Sequence, residues 1–253
     1  MKYSINTLLI LATLLSTGSA YAKLTIDNDA RLKIGANASF NATAYASKNQ
    51  ITLMPQAFYD NNRVYIEGAE AGIYALKDNR QQLRLGASYD GRSFSPDDAD
   101  TSALRQLDKR QWSALAHASY MYITAYGGLK VKASTDLLDR HGGQTVALSH
   151  LSKFTKDAWT IYPEIGAVWQ SKDYNQYYYG ISPNESLRTT LPEYQATSGW
   201  SPFATVTANY QLNDKISLFA NQRLELLSKT QKDSPLTDGS IDSKTRIGVN
   251  YQF

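Results

Sequence analysis

The chain has no cysteine, only three histidines and seven prolines among its 253 residues. Without cysteine there is no disulfide framework, no thiol nucleophile and no acylated N-terminal cysteine of the lipoprotein kind. Three histidines keep any search for acid–base chemistry short. Charge of one sign is also missing: 26 basic side chains against 23 acidic ones leave a net of +3, which implies no nucleic-acid footprint. Long hydrophobic runs are absent too. The one apolar stretch, Leu8 to Leu15, falls well short of the roughly 20 residues a membrane-spanning helix requires. What the chain does have is tyrosine, 18 of them against 7 Phe and 4 Trp. Amphipathic rings in such number suit strands that cross a lipid–water boundary.

Residues 1–22 have the layout of a secretory signal peptide. Lys2 gives a positive start, Leu8–Leu15 an apolar centre, and Ala20-Tyr21-Ala22 a small-x-small cleavage site. The mature chain is expected to begin at Lys23 and to form one domain, 23–253.

The last eleven residues organise the rest. From Ser243 to Phe253 the residues Thr245, Ile247, Val249, Tyr251 and Phe253 share one face, and Lys244, Arg246, Gly248, Asn250 and Gln252 the other. Period-two alternation places these sets on opposite sides of a strand. The chain ends on the aromatic residue, so nothing follows to cover the apolar face. A closed transmembrane sheet resolves this, with lipid on one side and a polar lumen on the other.

Similar alternation marks Arg31–Asn41, Gln82–Asp90, Gln111–Ala125, Ala158–Gln170, Trp200–Gln211 and Lys215–Ser228, and more weakly Gln50–Tyr59, Arg63–Leu76, Gly128–Leu138 and Gln144–Phe154. With the closing segment these make eleven, whereas single-chain bacterial barrels have even numbers. The sequence therefore predicts an all-β, closed antiparallel barrel of twelve strands, with ten as the alternative. The missing crossing is expected in Ser171–Ile181 or ahead of Arg31. Asn213-Asp214 and Thr155-Lys156-Asp157 read as short turns, while Ser95–Arg110, Ser171–Gly199 and Lys229–Asp242 are long polar loops, where function usually sits.

Three loop motifs stand out. One loop carries Ser95-Pro96-Asp97-Asp98-Ala99-Asp100 and then Leu107-Asp108-Lys109-Arg110. The longest carries Tyr177-Tyr178-Tyr179-Gly180-Ile181-Ser182-Pro183-Asn184-Glu185, and the last Asp233-Ser234-Pro235. Ser182, Pro183 and Glu185 form a helix-start signature, with a capping box between Ser182 and Glu185. The triple tyrosine offers broad amphipathic contact area for recognition, or else loop packing and an interfacial girdle. Asp97, Asp98 and Asp100 could ligate Ca²⁺, but they lack the glycine and distal glutamate of an EF-hand loop and are expected instead to cap a helix ending near Arg110.

These motifs, in this order and ending in an aromatic C-terminus, resemble the MltA-interacting protein/OmpV family of outer-membrane proteins. The first loop, Thr43-Ala44-Tyr45-Ala46-Ser47, departs from the family pattern. The resemblance implies a non-enzymatic barrel without cofactor. It also implies a scaffold role that joins a lytic transglycosylase to a penicillin-binding protein. Other members are described as adhesins or immunogenic surface proteins. A narrow diffusion channel is a third reading. The enzyme alternative rests on His117-Ala118-Ser119, whose spacing resembles the pair of outer-membrane lipid A deacylases. That pair faces away from Trp112, Ala114, Ala116 and Tyr120, and so into the lumen. Glu164, Arg84, Lys130, Lys132, Asp136, Arg223, Glu225 and Arg246 are expected to supply paired lumen charges.

Overall fold

The computed structural model describes residues 27–253; the expected signal peptide and cleavage site lie outside this range. Twelve strands follow one another around a closed antiparallel barrel. They are β1 (Lys33–Ala42), β2 (Gln50–Asp60), β3 (Val64–Gly68), β4 (Glu70–Lys77), β5 (Gln81–Asp90), β6 (Ser113–Thr124), β7 (Gly127–Asp136), β8 (Gln144–Leu151, resumed at Phe154–Lys156), β9 (Trp159–Gln170), β10 (Gly199–Gln211), β11 (Ile216–Leu226) and β12 (Ile241–Gln252). Closure runs along the whole of β1, from Lys33 opposite Gln252 to Ala42 opposite Ser243. Phe253 adds one more bond, its N–H donating to Leu32 O at 3.0 Å. The closing role read for the C-terminal segment is thus the observed one.

The missing crossing is not where the sequence reading put it. Arg63–Leu76 holds two strands, β3 and β4, folded back at Gly68, whose φ of +64° a side chain would resist. Ser171–Ile181 forms no strand but begins the helix α1 (Lys172–Tyr179). Two further short helices, α2 (Pro183–Arg188) and α3 (Lys229–Lys232), also lie in loops.

The wall is apolar outside and polar inside, the reverse of a soluble sandwich. Ile34, Phe40, Ile73, Leu85, Ile165, Val206, Ile247 and Val249 are exposed, whereas Asn37, Ser39, Gln56, Ser113, His117, Ser119, Asn221 and Asn250 are buried in the interior. Inside, Gly72 and Gly86 face each other across β4 and β5. A Cβ on either would stand 2.9 Å from the Tyr65 hydroxyl, so these glycines make room for that ring.

Proline marks where the sheet is incomplete, because it has no N–H to give a neighbour. Pro163 in β9 lies opposite the interruption of β8 at Ser152–Lys153. Pro202 in β10 precedes Phe203, the first residue paired with β11. Pro55 in β2 lies beyond the reach of β3, which pairs only with Ala57–Asp60. All long loops lie at one end of the barrel, and the short turns, apart from the β3–β4 turn at Gly68, lie at the other with Lys33 and Phe253.

Candidate functional site

The hydrophobic core of this protein is in its loops. Ala44, Tyr45, Phe94, Ala99, Leu104, Leu107, Tyr174, Tyr178, Tyr179, Ile181, Ala196, Leu227 and Leu236 form one buried cluster at the loop end. Those residues come from the β1–β2, β5–β6, β9–β10 and β11–β12 connections, so four loops condense into a lid over one mouth of the barrel.

Helix α1 anchors the lid. Ser171 caps it, its hydroxyl accepting from the Tyr174 N–H at 3.3 Å. Helical spacing then turns Tyr174 and Tyr178, with Asn175 and Tyr179, toward the interior. Tyr178 and Tyr179 are 0% and 1% exposed. Tyr45 packs on Phe94 and Tyr179 with ring centroids 5.4 Å apart, and its hydroxyl donates to Tyr178 O at 3.1 Å. The tyrosine triplet therefore spends its rings on packing. Only Tyr177 is half-exposed, and its hydroxyl accepts from the Gln111 N–H.

The three sequence motifs meet here. Arg110 donates to Glu185 at 2.8 Å and to Gly180 O at 3.0 Å, with both charged side chains buried. The expected capping box is present: the Glu185 N–H donates to Ser182 Oγ, and Glu185 accepts from the Ser182 N–H at 3.0 Å. Glu185 also accepts from the Asp108 N–H at 2.9 Å. Burial works against the Glu185 anion, but the Ser182 and Asp108 N–H groups and the Arg110 guanidinium outweigh it and hold its pKa below the usual range. Leu107 is buried beside them, and exposed Asp108 pairs with Arg188 at 2.6 Å. From the last loop, Ser234 donates to Tyr179 O at 2.6 Å, Pro235 is half-buried, and Asp233 pairs with Lys229 at the surface. Pro183 is exposed at the start of α2.

The acidic segment caps no helix ending near Arg110, because only short 3-10 turns form there, at Pro96–Asp98 and Leu104–Gln106. Its backbone instead straps two loops together. Asp98 O accepts from the Lys48 N–H at 3.0 Å, and the Asp100 N–H donates to Ala46 O at 3.1 Å. Asp97 and Asp100 are exposed, Asp98 is half-buried, and among the described residues no group of three acidic, histidine or cysteine side chains is placed to hold a metal ion.

Arg92, which the sequence reading did not single out, ties the lid to the wall. Its guanidinium reaches Tyr174 Oη at 3.1 Å, Tyr179 Oη, Asp242 of β12 at 2.8 Å and Glu225 of β11 at 3.6 Å. A second seam joins Ser201, Gln231 and Asn175, in bonds of 2.9 Å each. The Ser228-x-x-Gln231 capping box was the one legible sign of it. His141 lies against the edge of Tyr174, at 5.0 Å between centroids. Burial lowers its pKa in spite of Asp136 and Asp90 nearby.

Beneath the lid the lumen is a network of paired charges, largely as expected. Lys132 bonds Glu70 at 2.5 Å, Arg84 bonds Glu67 at 2.8 Å, Lys130 bonds Glu164 at 3.1 Å, and Arg223 bonds Glu225 at 2.7 Å. Asp136 accepts from the Ser113 hydroxyl and from the His141 N–H at 2.6 Å. Arg246 departs from the expectation, since it donates to the Asn221 amide oxygen at 3.0 and 3.2 Å rather than to a carboxylate. His117 is engaged by Glu70 at 3.2 Å and the Tyr65 hydroxyl at 3.0 Å, and no hydrogen bond joins it to Ser119. A serine nucleophile needs its base within hydrogen-bond reach, and here that base is committed elsewhere.

Residues 34–253 match the family described as MltA-interacting protein MipA. The "MltA-interacting protein" of Escherichia coli K12 is 28% identical over 97% of this chain and 98% of its own length. The "Putative outer membrane protein YiaT" of the same strain is 30% identical over 88% of this chain and 91% of its own. "Outer membrane protein OmpV" of Vibrio cholerae is 20% identical over 68% and 66%. The chain belongs to the MltA-interacting protein (MipA)/OmpV family and is a β-barrel of the Gram-negative outer membrane.

Proposed function

We propose that this protein is a closed barrel that serves as a membrane-embedded docking platform for murein enzymes. The first partner in this reading is a lytic transglycosylase of the kind named in its relatives, and the second a penicillin-binding protein. The observation that carries the reading is the lid. Four loops bury their apolar side chains in one another, so the loop end is committed to closure. Outer-membrane barrels keep long loops outside and short turns in the periplasm, and the same orientation is adopted here. Docking then falls to the turns around Asn62, Asp78, Asp157 and Asn213. The bilayer holds this platform at a fixed height above the murein layer.

The test is capture of a purified MltA-type transglycosylase by the detergent-solubilised barrel. Short insertions at Asp157 or Asn213 should abolish capture, and an insertion beside Leu187 on the lid should leave it intact. The opposite pattern would refute the reading. Cysteine placed at Asn184 or Asn213 reports sidedness directly, since the native chain has none. An impermeant thiol reagent should label the first on intact cells and the second only after permeabilisation.

A further inference from the structure

The widest break in the barrel wall lies beside β2. β3 stops at Gly68, opposite Ala57, so Gln50–Gln56 of β2 pairs with β1 on one edge and, among the described residues, with no strand on the other. Seven residues at about 3.3 Å each leave an open edge of roughly 20 Å. Above it, the strap between Ala46–Lys48 and Asp98–Asp100 closes the gap. Ile51 and Leu53 face lipid at 69% and 79% exposure, and the lumen-facing Thr52 between them is exposed as well. A strand accessible on both faces is the rim of an opening. Open sheet edges do not survive against hydrocarbon unless they line a water-filled space, so lumen and bilayer meet at this window.

A second, independent observation lies two strands away. The lumen cations Lys132, Arg84, Lys130 and Arg223 each have a carboxylate. Lys244 and Arg246 on β12 have none within 4.0 Å among the described residues, and both are half-buried. Arg223 stands opposite Lys244 across β11 and β12. The register aligns this cluster with the window. Lys244 is level with Asn41 and Gln50, and Arg246 with Ser39 and Thr52, along rows about 10 Å wide.

We propose that the lumen holds an anionic amphiphile, its phosphate or carboxylate head at Arg223, Lys244 and Arg246 and its acyl chain leaving through the window between β2 and the β3–β4 hairpin into the bilayer. Two half-buried cations set beside Arg223 with no counter-charges of their own repel one another, and a bound anion relieves that repulsion. A free anion would answer that need alone. The window, at the same register, supplies the exit that an apolar tail requires. The lid closes the mouth directly above, because Asp242 and Glu225, one row up, are held by Arg92. The site is reached from the bilayer through the window, and it lies apart from the turns proposed for docking.

The experiment is native mass spectrometry of the whole barrel in a non-ionic detergent. Three probes are used: phosphatidylglycerol, phosphatidylcholine with the same acyl chains, and glycerol phosphate. Phosphatidylglycerol should bind at least tenfold more tightly than either of the others. Lys244→Gln with Arg246→Gln should reduce it to the phosphatidylcholine level. Thr52→Trp, which fills the window and leaves the cations alone, should weaken phosphatidylglycerol at least tenfold as well. Lys156→Gln, at the turn end, should change nothing, and heat-modifiability on gels certifies that each variant is folded. Equal binding of the two lipids would overturn the proposal, as would glycerol phosphate matching phosphatidylglycerol. An unaffected Thr52→Trp variant would overturn it even if the double variant failed to fold.

Discussion

Removing Arg110 tests whether the lid is a cooperative unit. Its guanidinium is buried against Glu185 and Gly180 O, 2.8 and 3.0 Å away. Arg110→Ala leaves the Glu185 carboxylate in the lid interior with the Ser182 hydroxyl, the Ser182 and Asp108 N–H groups and, at 4.0 Å, the exposed Arg188 guanidinium, but without its buried counter-charge. Breaking a buried pair from one side costs about 3–5 kcal/mol. At 1.4 kcal/mol per decade, the open lid should become about a hundredfold or more more populated. Arg188, exposed at the end of α2, is a ready trypsin site within the lid. Cleavage there should accelerate by that factor while the barrel stays heat-modifiable, since no strand is touched. Arg110→Met with Glu185→Leu should recover much of the loss, because no charge is then stranded. The reasoning fails if Arg110→Ala is cleaved at the wild-type rate, or if the double variant is as unstable as the sum of its single changes.

Acid should open the lid. Glu185 has a lowered pKa, so its contribution is whole above the ordinary carboxylate value of 4.5 and is lost as pH falls through the folded value. His141 is lowered as well; below its ordinary 6.5 the opened state takes up the proton first, which adds in the same direction. Protection against proteolysis should therefore decline from about pH 6.5 and fall further below about 4.5, and a flat profile would contradict this. Deleting Phe253 removes the bond to Leu32 O and the edge-on contact with Tyr251, and should impair assembly of the heat-modifiable form; normal insertion would count against its closing role. His117→Ala and Ser119→Ala should leave lipid A acylation in cells unchanged, and an altered lipid A profile in either would revive the enzyme alternative.

The barrel was legible because a wall between lipid and lumen imposes period-two alternation on every crossing. Where that reading missed, the sign was present but small. In Arg63–Leu76 the outward residues are Val64 and Ile66, then Ala71 and Ile73, a change from even to odd numbers across Gly68. A regular strand keeps its parity, so a turn or a bulge was implied, and the glycine at the change favours the turn. Helix α1 was hidden because Lys172–Tyr179 is rich in tyrosine, a strand former, and is too short for helical periodicity to declare itself. The loop motifs were legible as motifs, and the Ser182–Glu185 capping box formed as read. Their convergence was not legible, because nothing local says that Arg110, Glu185 and Ser234 meet. Arg92 gave no sign at all: its partners Tyr179, Glu225 and Asp242 are between 87 and 150 residues away in sequence.

The location of the apolar core in the lid sets an order of events during assembly. A soluble domain can collapse on its core early and build outward. Here the core draws on four segments far apart in the chain: Tyr45 bonds Tyr178 across 133 residues, and the Ala44 N–H bonds Asp242 across 198. Those segments come together only when the barrel brings their strand ends to one rim. The last of them, holding Leu236, is carried between β11 and β12, and β12 is the strand that closes on β1. Lid condensation is thus a late step, gated by ring closure, and a barrel stalled one strand short would show its tyrosines to solvent. A sealed lid is the molecule's own record that insertion has finished.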